Sequence, residues 1–232
     1  MEQYALPSSQ DVERAISFAQ KFNDRLVYSI KKDANPLTGS PYTTYKQLHT
    51  LVSLNLATLG RDKFAIKSNV VSQPLHVLEK LIPSLFTLKN AKRFGKFYNE
   101  SDVNFAKKNL PGIFLTTLDY AAWELTKYQM PSDFYVYVND VDKVEQYLIE
   151  KGFSKGSSGR VILLPMFGNF ENKIERIYLD CMANGGRSIL DAIAIELRYG
   201  EQLQVKGYFP LELMKKVQEE NQLTRINEST ST

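Results

Sequence analysis

The sequence predicts an α+β protein made of two structured domains. Its 232 residues are 43% hydrophobic and 24% charged, which is the composition of an ordinary globular protein. The first part reads as helices followed by a hairpin, whereas strands and helices alternate after residue 111. No apolar run reaches the roughly 18 residues that cross a bilayer, and residues 1–10 lack the features of a signal peptide. We therefore expect a cytoplasmic protein with no membrane partner.

The first 72 residues contain two amphipathic helical patterns and a hairpin. Apolar residues recur every three or four positions over 11–32, which predicts one helix or two short helices bent near Asn23, with a cap at Ser9 or Asp11. A turn rich in proline and glycine over 35–41 separates this pattern from a second helix that begins at Thr43. Two short strands, 56–59 and 64–67, follow around a glycine turn. The order of helix, turn, helix and hairpin predicts a winged helix-turn-helix domain over 1–72.

The next segment, 73–110, is predicted as a basic helical connector. A helical pattern over 73–86 should kink or end at Pro83, because proline removes a helix hydrogen bond. Six lysines and arginines are then interleaved with four aromatic residues between Lys89 and Lys108. Such a stretch could bind single-stranded nucleic acid, but buried aromatics with solvated lysines are the simpler interpretation.

A mixed α/β domain with a small sheet and terminal helices is predicted over 111–226. Thr116 or Thr117 should cap its first helix. Strands are predicted over 134–138 and 160–164, and helices over 141–151, 175–182, 188–199 and from Pro210 to Glu220. Residues 227–232 are polar and are predicted to be a disordered tail.

Charge divides the chain into two halves of opposite sign. Residues 1–110 carry 16 Lys plus Arg against 9 Asp plus Glu, whereas residues 111–232 carry 13 against 17. The net charge of the first half is therefore +7 and that of the second is −4. A positive winged helix predicts binding to double-stranded DNA.

The predicted DNA-binding residues lie on the second helix and on the hairpin. Polar side chains on the exposed helix face would contact bases, and basic side chains would contact phosphates. The expected base contacts are Thr44, Tyr45, Gln47, His49 and Thr50, and the expected phosphate contacts are Lys46, Arg61, Lys63 and Lys67. The same residues also suit an ordinary solvated helix, and winged helices also serve as protein contact or dimerisation modules.

Other motifs favour structural interpretations. Asp140 and Asp142 follow a strand and could hold magnesium, although a capped turn into a helix explains them more simply. The stretch 156–159, Gly-Ser-Ser-Gly, reads as a hairpin turn, and Cys181 as a buried thiol. Gly185 and Gly186 should form a helix corner, with Arg187 and Asp191 paired four residues apart. With one cysteine and two histidines, we expect no metal site and no cofactor.

The segment 177–192, Ile-Tyr-Leu-Asp-Cys-Met-Ala-Asn-Gly-Gly-Arg-Ser-Ile-Leu-Asp-Ala, resembles a signature near the C-terminus of AbiEi-type antitoxins. The preceding helix at 115–122 and the strands 134–138 and 161–165 resemble the order of that family, so the likeness spans most of 43–199. These antitoxins are transcriptional regulators of type IV toxin-antitoxin systems. The resemblance implies a winged helix that represses its own operon and an antitoxin domain that counters a nucleotidyltransferase toxin encoded beside it. The long first helix and the basic connector depart from the family pattern.

The sequence therefore predicts a non-enzymatic, DNA-binding repressor of the antitoxin type. A palindromic operator would imply a homodimer. The alternative is an enzyme of the nucleotidyltransferase class that uses Asp140 and Asp142 with magnesium.

Overall fold

A computed structural model describes residues 8–22, 24–67, 73–96, 100–156 and 158–229. The chain is mixed α+β and divides into two compact units, Met1–Lys89 and Asn90–Thr232. The sequence predicts domain boundaries after residues 72 and 110, whereas the boundary between the two units lies after Lys89. In the part of the chain that the structure describes, no helix is both long and apolar enough to span a membrane.

The N-terminal unit combines helices with a three-stranded antiparallel sheet. Strand β1, Tyr28–Ser29, pairs with β3, Lys63–Ile66, and β3 pairs with β2, Ala57–Leu59, so that β3 is central. A π-helical turn over Ile30–Ala34 follows β1. The elements are α1 Ser9–Ala19, β1 Tyr28–Ser29, α2 Asn35–Thr38, α3 Pro41–Ser53, β2 Ala57–Leu59, β3 Lys63–Ile66 and α4 Leu75–Lys89. The predicted hairpin is confirmed.

Aromatic side chains form the centre of the N-terminal core. Phe18 and Phe22, from α1 and the residues after it, pack with Tyr28 of β1 and Phe64 of β3. The ring centroids of Phe22 lie 4.9 Å from Tyr28 and 5.0 Å from Phe64, in edge-to-face geometry. Because α1 and α3 also pack together, α3 has one buried and one exposed face.

The helix or pair of short helices predicted over 11–32 is wrong beyond Ala19. Its cap is Ser8 rather than Ser9 or Asp11, since the Ser8 side chain accepts a hydrogen bond from the Asp11 amide. The chain then leaves the helix because Tyr28 and Ser29 pair with β3. Leu26 is 89% exposed, although it fits the apolar helical spacing. Asn23, the predicted bend, lies outside the described residues.

The C-terminal unit is built on a five-stranded mixed sheet. The strands are β4 Lys92–Gly95, β5 Ile113–Thr117, β6 Phe134–Val138, β7 Ser154–Lys155 and β8 Val161–Pro165. Their order in the sheet is β5-β6-β8-β4-β7, in which β6 and β8 are parallel and the other pairs are antiparallel. The helices are α5 Glu100–Asn109, α6 Leu118–Thr126, α7 Val141–Glu150, α8 Lys173–Asn184, α9 Ser188–Tyr199 and α10 Leu211–Ser229.

The structure replaces the predicted connector over 73–110 with regular elements of both units. Helix α4 continues through Pro83 to Lys89, because Leu78, Leu81 and Leu85 bury one face on both sides of the proline. Strand β4 then lies between β8 and β7, with Phe94 fully buried. Helix α5 follows, and the aromatic residues at 97 and 98 lie outside the described residues.

The hairpin turn predicted at 156–159 is also wrong. Strands β7 and β8 flank this stretch, but β4 lies between them in the sheet. Gly159 instead packs on the backbone of β4, where an added Cβ would lie 2.1 Å from the Phe94 carbonyl carbon. Ser157 lies outside the described residues.

Two further elements differ from the sequence prediction. Strand β5 occupies residues that were expected to cap or begin a helix, at Thr116 or Thr117 and over 115–122. The helix begins at Leu118 instead, and Thr117 stands at its N-cap position without a side-chain capping hydrogen bond. Helix α10 includes 227–229 of the predicted tail, and 230–232 lie outside the described residues.

Candidate functional site

The exposed face of α3 carries part of the predicted DNA-binding set. Tyr45, Lys46 and His49 are exposed and share one side of the helix, since they are three and four residues apart. The rings of Tyr45 and His49 lie 6.4 Å apart. Tyr42 lies one turn earlier and is 79% exposed, but it falls outside the predicted helix, which begins at Thr43. Pro41, a preferred first residue of a helix, was the signal that could have extended it.

Thr44 and Thr50 do not belong to this face, which corrects their prediction as base contacts. Thr44 is fully buried, and its hydroxyl lies 2.6 Å from the Thr38 hydroxyl and donates to the Ser40 carbonyl. Thr50 is 9% exposed and donates to the Lys46 carbonyl. Both hydroxyls therefore donate to backbone carbonyl groups, that of Thr44 to the residue before α3 and that of Thr50 within α3. Gln47 is half-buried, at the border between the two faces.

Lys46 is exposed but already has a partner. Its Nζ lies 2.8 Å from Asp11 Oδ1 on α1, and this contact lowers the pKa of the Asp11 carboxyl. A phosphate would have to compete with Asp11 for the ammonium group. The ion pair therefore reduces the positive charge that α3 offers to DNA.

The turn between β2 and β3 presents two of the three predicted basic residues. Arg61 and Lys63 are exposed at this turn. Lys67 is half-buried, and burial lowers the pKa of its ammonium group. Because α3 packs against β2, the exposed helix face and the basic turn belong to one compact unit.

The residues of the alternative magnesium site have structural contacts. Asp140 caps α7 by accepting a hydrogen bond from the Lys143 amide, as the capped-turn interpretation expected. Asp142 is paired with Lys92 at 2.9 Å. Within the described ranges, no three His, Cys, Asp or Glu side chains are grouped so that they could hold a metal ion. Cys181 is a buried thiol whose pKa is raised by burial.

The segment that resembles the antitoxin signature contains a buried ionic network. Asp180 of α8 is fully buried and accepts hydrogen bonds from Thr117 at 2.7 Å and from Tyr137 at 2.9 Å. Arg176 Nε lies 3.1 Å from Asp180 Oδ1, and Arg176 Nη1 donates to the Phe167 carbonyl. Burial and the Asp180 charge raise the pKa of the Tyr137 hydroxyl. This network joins α8 to β5 and β6, so its role is to hold the unit together.

The two glycines of the same segment border a cleft of about 340 Å³. The cleft lies at the N-terminal ends of α6 and α9, and its lining is rich in carboxyl, amide and hydroxyl groups. Gly185 and Gly186 both have positive φ angles, 72° and 54°, which allow the sharp turn between α8 and α9. The predicted helix corner is confirmed.

The predicted pair between Arg187 and Asp191 is wrong. Arg187 Nε donates to Gln129 Oε1 at 2.6 Å and Nη2 donates to the Met130 carbonyl at 3.1 Å. Asp191 lines the cleft at 4% exposure, and no donor among the described residues reaches its buried Oδ1. Burial raises the pKa of Asp191 to about 7, while a hydrogen bond from the Gln129 side chain to the carboxyl group lowers it, the charge of Asp119 raises it and the charge of Arg187 lowers it.

Comparisons with protein-family models, curated proteins and solved structures found no match to this chain.

Proposed function

We propose that the protein is a transcriptional regulator that binds double-stranded DNA through its N-terminal unit. The observation that carries the proposal is the exposed face of α3, with Tyr45, Lys46 and His49, in the same compact unit as the basic β2–β3 turn. In this proposal α3 enters the major groove, and Arg61 and Lys63 contact neighbouring phosphates.

The topology of the N-terminal unit supports its assignment as a winged helix. Helix α1 and strand β1 are followed by α2, α3 and the β2–β3 hairpin, and β1 completes the sheet beside β3. The short connection of Gly39 and Ser40 between α2 and α3 suits a helix-turn-helix, since Gly39 adopts a φ of 70°. Residues 1–89 also carry 11 Lys plus Arg against 7 Asp plus Glu, which favours a polyanionic partner.

Helix α3 has suitable dimensions for the groove. Thirteen residues correspond to roughly 20 Å of helix, and the major groove is roughly 12 Å wide. In this docking mode the N-terminal part of the helix contacts base edges. Tyr42 and Tyr45 occupy that part, and we add Tyr42 to the proposed contacts.

The proposal is tested by titrating the full chain against the DNA upstream of its own gene and against a scrambled duplex of equal length. Each titration is run at about 50 and about 200 mM salt, since phosphate contacts give a steep salt dependence. The test variant is Arg61→Glu with Lys63→Glu. The matched control is Lys143→Glu with Lys206→Glu, which makes the same change in net charge on exposed residues of the other unit.

We expect the hairpin variant to bind both duplexes at least about tenfold more weakly and with a shallower salt slope. The control should stay within about twofold of the parent protein. The proposal fails if the hairpin variant keeps its affinity or if the control loses as much. Equal binding of native and scrambled DNA by the parent protein would contradict the assignment as a regulator.

We extend the proposal to an antitoxin that represses its own operon, whose toxin partner is encoded beside it. Its support is the resemblance of 177–192 and of the preceding element order to AbiEi-type antitoxins. Co-expression with the neighbouring gene tests this extension: growth arrest by that gene, relieved by this chain, is expected. A neighbouring gene that is harmless alone contradicts it.

A further inference from the structure

We propose that the cleft at the N-terminal ends of α6 and α9 binds a small organic cation whose guanidinium or amidinium group donates N–H hydrogen bonds to Asp191. The proposal concerns the C-terminal unit and is independent of DNA binding. Its starting point is the buried Asp191 Oδ1, which no donor reaches among the residues that the structure describes. A buried acceptor without a partner is rare in folded proteins, because losing its bonds to water destabilises the fold.

Several donor groups on the cleft wall are already engaged. Arg187 donates to Gln129 and to the Met130 carbonyl, and the Gln129 amide donates back to the Arg187 carbonyl. The Ser132 hydroxyl donates to Asp119 Oδ2 at 2.6 Å, and the Asn184 amide donates to Ser188. A ligand that brings its own N–H donors would therefore complement this lining better than a ligand that brings acceptors.

Charge favours a cation over an anion in this cleft. Helix N-termini ordinarily attract anions, and both α6 and α9 begin at the cleft. Each first turn, however, already contains a carboxyl group, Asp119 in α6 and Asp191 in α9. Asp133, which also lines the cleft, is neutralised by Arg93 at 2.7 Å. Arg187 also lines the cleft and would repel a cation, but two carboxyl groups, Asp119 and Asp191, oppose its single positive charge. A bound anion would meet both carboxylates once Asp191 is ionised, whereas a cation would be attracted to both.

The geometry points to a planar cation of modest size. A volume of about 340 Å³ lies at the lower end of the range for small-molecule sites. Guanidinium and amidinium groups present parallel N–H donors that match a carboxylate, which a compact ammonium group does not. The cation could belong to a free small molecule or to an arginine side chain of a polypeptide.

The experiment is isothermal titration of the full chain with butylguanidine, and with N-butylurea and butylamine as comparison probes. N-butylurea has the same shape but no charge, and butylamine has the charge but no planar donor pair. The test variant is Asp191→Asn, which preserves the size of the side chain. Asp142→Asn is the matched control, because Asp142 is an exposed carboxylate of the same unit, 91% accessible, outside the cleft.

Saturable binding of butylguanidine is expected, at least about tenfold tighter than that of N-butylurea or butylamine. Asp191→Asn should weaken it at least about tenfold, and Asp142→Asn should leave it unchanged. Thermal melts of Asp191→Asn verify that the variant is folded. The proposal is overturned if no butylguanidine binding is seen up to about 10 mM. Equal affinity for N-butylurea or butylamine, or equal affinity in folded Asp191→Asn, overturns it as well.

A second readout is the pH dependence of binding. The titratable and charged groups that interact with Asp191 are Asp119 on α6, Tyr128 after α6, Arg187 beside α9 and Cys181 on α8, and the Gln129 side chain hydrogen-bonds to its carboxyl group. With its pKa at about 7, Asp191 gains charge between pH 6 and pH 8, so affinity for butylguanidine should rise by about tenfold over this range. The rise should vanish in Asp191→Asn. A rise of the same size in that variant contradicts the role of Asp191.

The probe acetyl-Gly-Arg-Gly-amide distinguishes the two sources of the cation. Affinity similar to that of butylguanidine assigns the site to an arginine side chain. Affinity at least about tenfold weaker assigns it to a free small molecule. Both results require the loss of binding in Asp191→Asn.

Discussion

The buried carboxyl group of Asp191 makes the stability of the C-terminal unit depend on pH. Its pKa rises from 3.8 to about 7 on folding, with burial as the main cause. The folded state therefore holds the proton more tightly than the unfolded state between these values. Stability contributed by the protonated group is complete below pH 3.8 and is lost as the pH rises towards 7. Above pH 7 the loss is constant.

The magnitude follows from the size of the shift. At roughly 1.4 kcal/mol per pKa unit, the full shift corresponds to an upper bound of roughly 4 kcal/mol. Between pH 5 and pH 8 the corresponding change is roughly 2 to 3 kcal/mol. The side chain introduced by the substitution Asp191→Asn cannot ionise. The free energy of unfolding of the variant, relative to that of the parent protein, should therefore increase by up to this amount as the pH rises from 5 to 8.

The assay is urea unfolding at pH 5, 6, 7 and 8, followed by the fluorescence of Trp123 on α6, the single tryptophan of the chain. Other titrating groups are present in both proteins, so their effects cancel in the difference. Asp142→Asn is the control: Lys92 lowers the pKa of Asp142, so its ionisation affects stability only below this interval. A gap between Asp191→Asn and the parent protein that stays constant from pH 5 to pH 8 would refute the reasoning.

Three further predictions concern packing, the buried ion pair and DNA affinity. Gly159→Ala should destabilise the C-terminal unit by roughly 3 kcal/mol or more in urea unfolding, because its Cβ would lie 2.1 Å from the β4 backbone. Gly156→Ala is the control and should be tolerated, since no atom lies within 4 Å of the position of its Cβ. Asp180→Asn should lower the free energy of unfolding by roughly 3 kcal/mol, since it leaves the Arg176 charge buried without its partner, and a loss below roughly 1 kcal/mol would contradict this role. Asp11→Asn should release Lys46 and tighten DNA binding in the titration described above. Glu13 is an exposed carboxylate on the same helix, so Glu13→Gln is the control and should have a smaller effect. Equal effects of the two substitutions would show that only net charge matters.

Elements with a strong local pattern could be predicted from the sequence. Helices α7 to α9, strands β6 and β8 and the β2–β3 hairpin agree with their predicted positions within a few residues. Each combines a clear apolar period with capping or turn residues, as in α7, where Asp140 caps the start. Such information is contained within a single segment and does not require partners elsewhere in the chain.

Strand β4 could not be predicted because its partners are distant in sequence. Its residues 92–95, Lys-Arg-Phe-Gly, look like a solvated basic stretch. In the structure the Lys92 ammonium binds Glu145 and the Arg93 guanidinium binds Asp133, about 50 and 40 positions away. Pairing with β8 and β7 then buries Phe94 between charged neighbours. The basic character of the segment therefore reflects ion pairs within the unit as well as any attraction to nucleic acid.

The prediction of the binding residues was partly wrong for the same reason, because helical spacing carries no information about tertiary contacts. Helical spacing placed Thr44 and Thr50 on a polar face, but polar side chains can also face the core when the backbone accepts their hydrogen bonds, as the Ser40 and Lys46 carbonyls do here. The spacing of Arg187 and Asp191 likewise suggested an ion pair, which is absent because the guanidinium reaches Gln129 and Met130 instead. That displacement leaves the Asp191 carboxyl without a cationic partner. The segment 177–192 thus contains residues with two distinct roles: Asp180 stabilises the sheet and helices, whereas Asp191 leaves a buried acceptor unpaired at the cleft, and only the second role calls for a ligand.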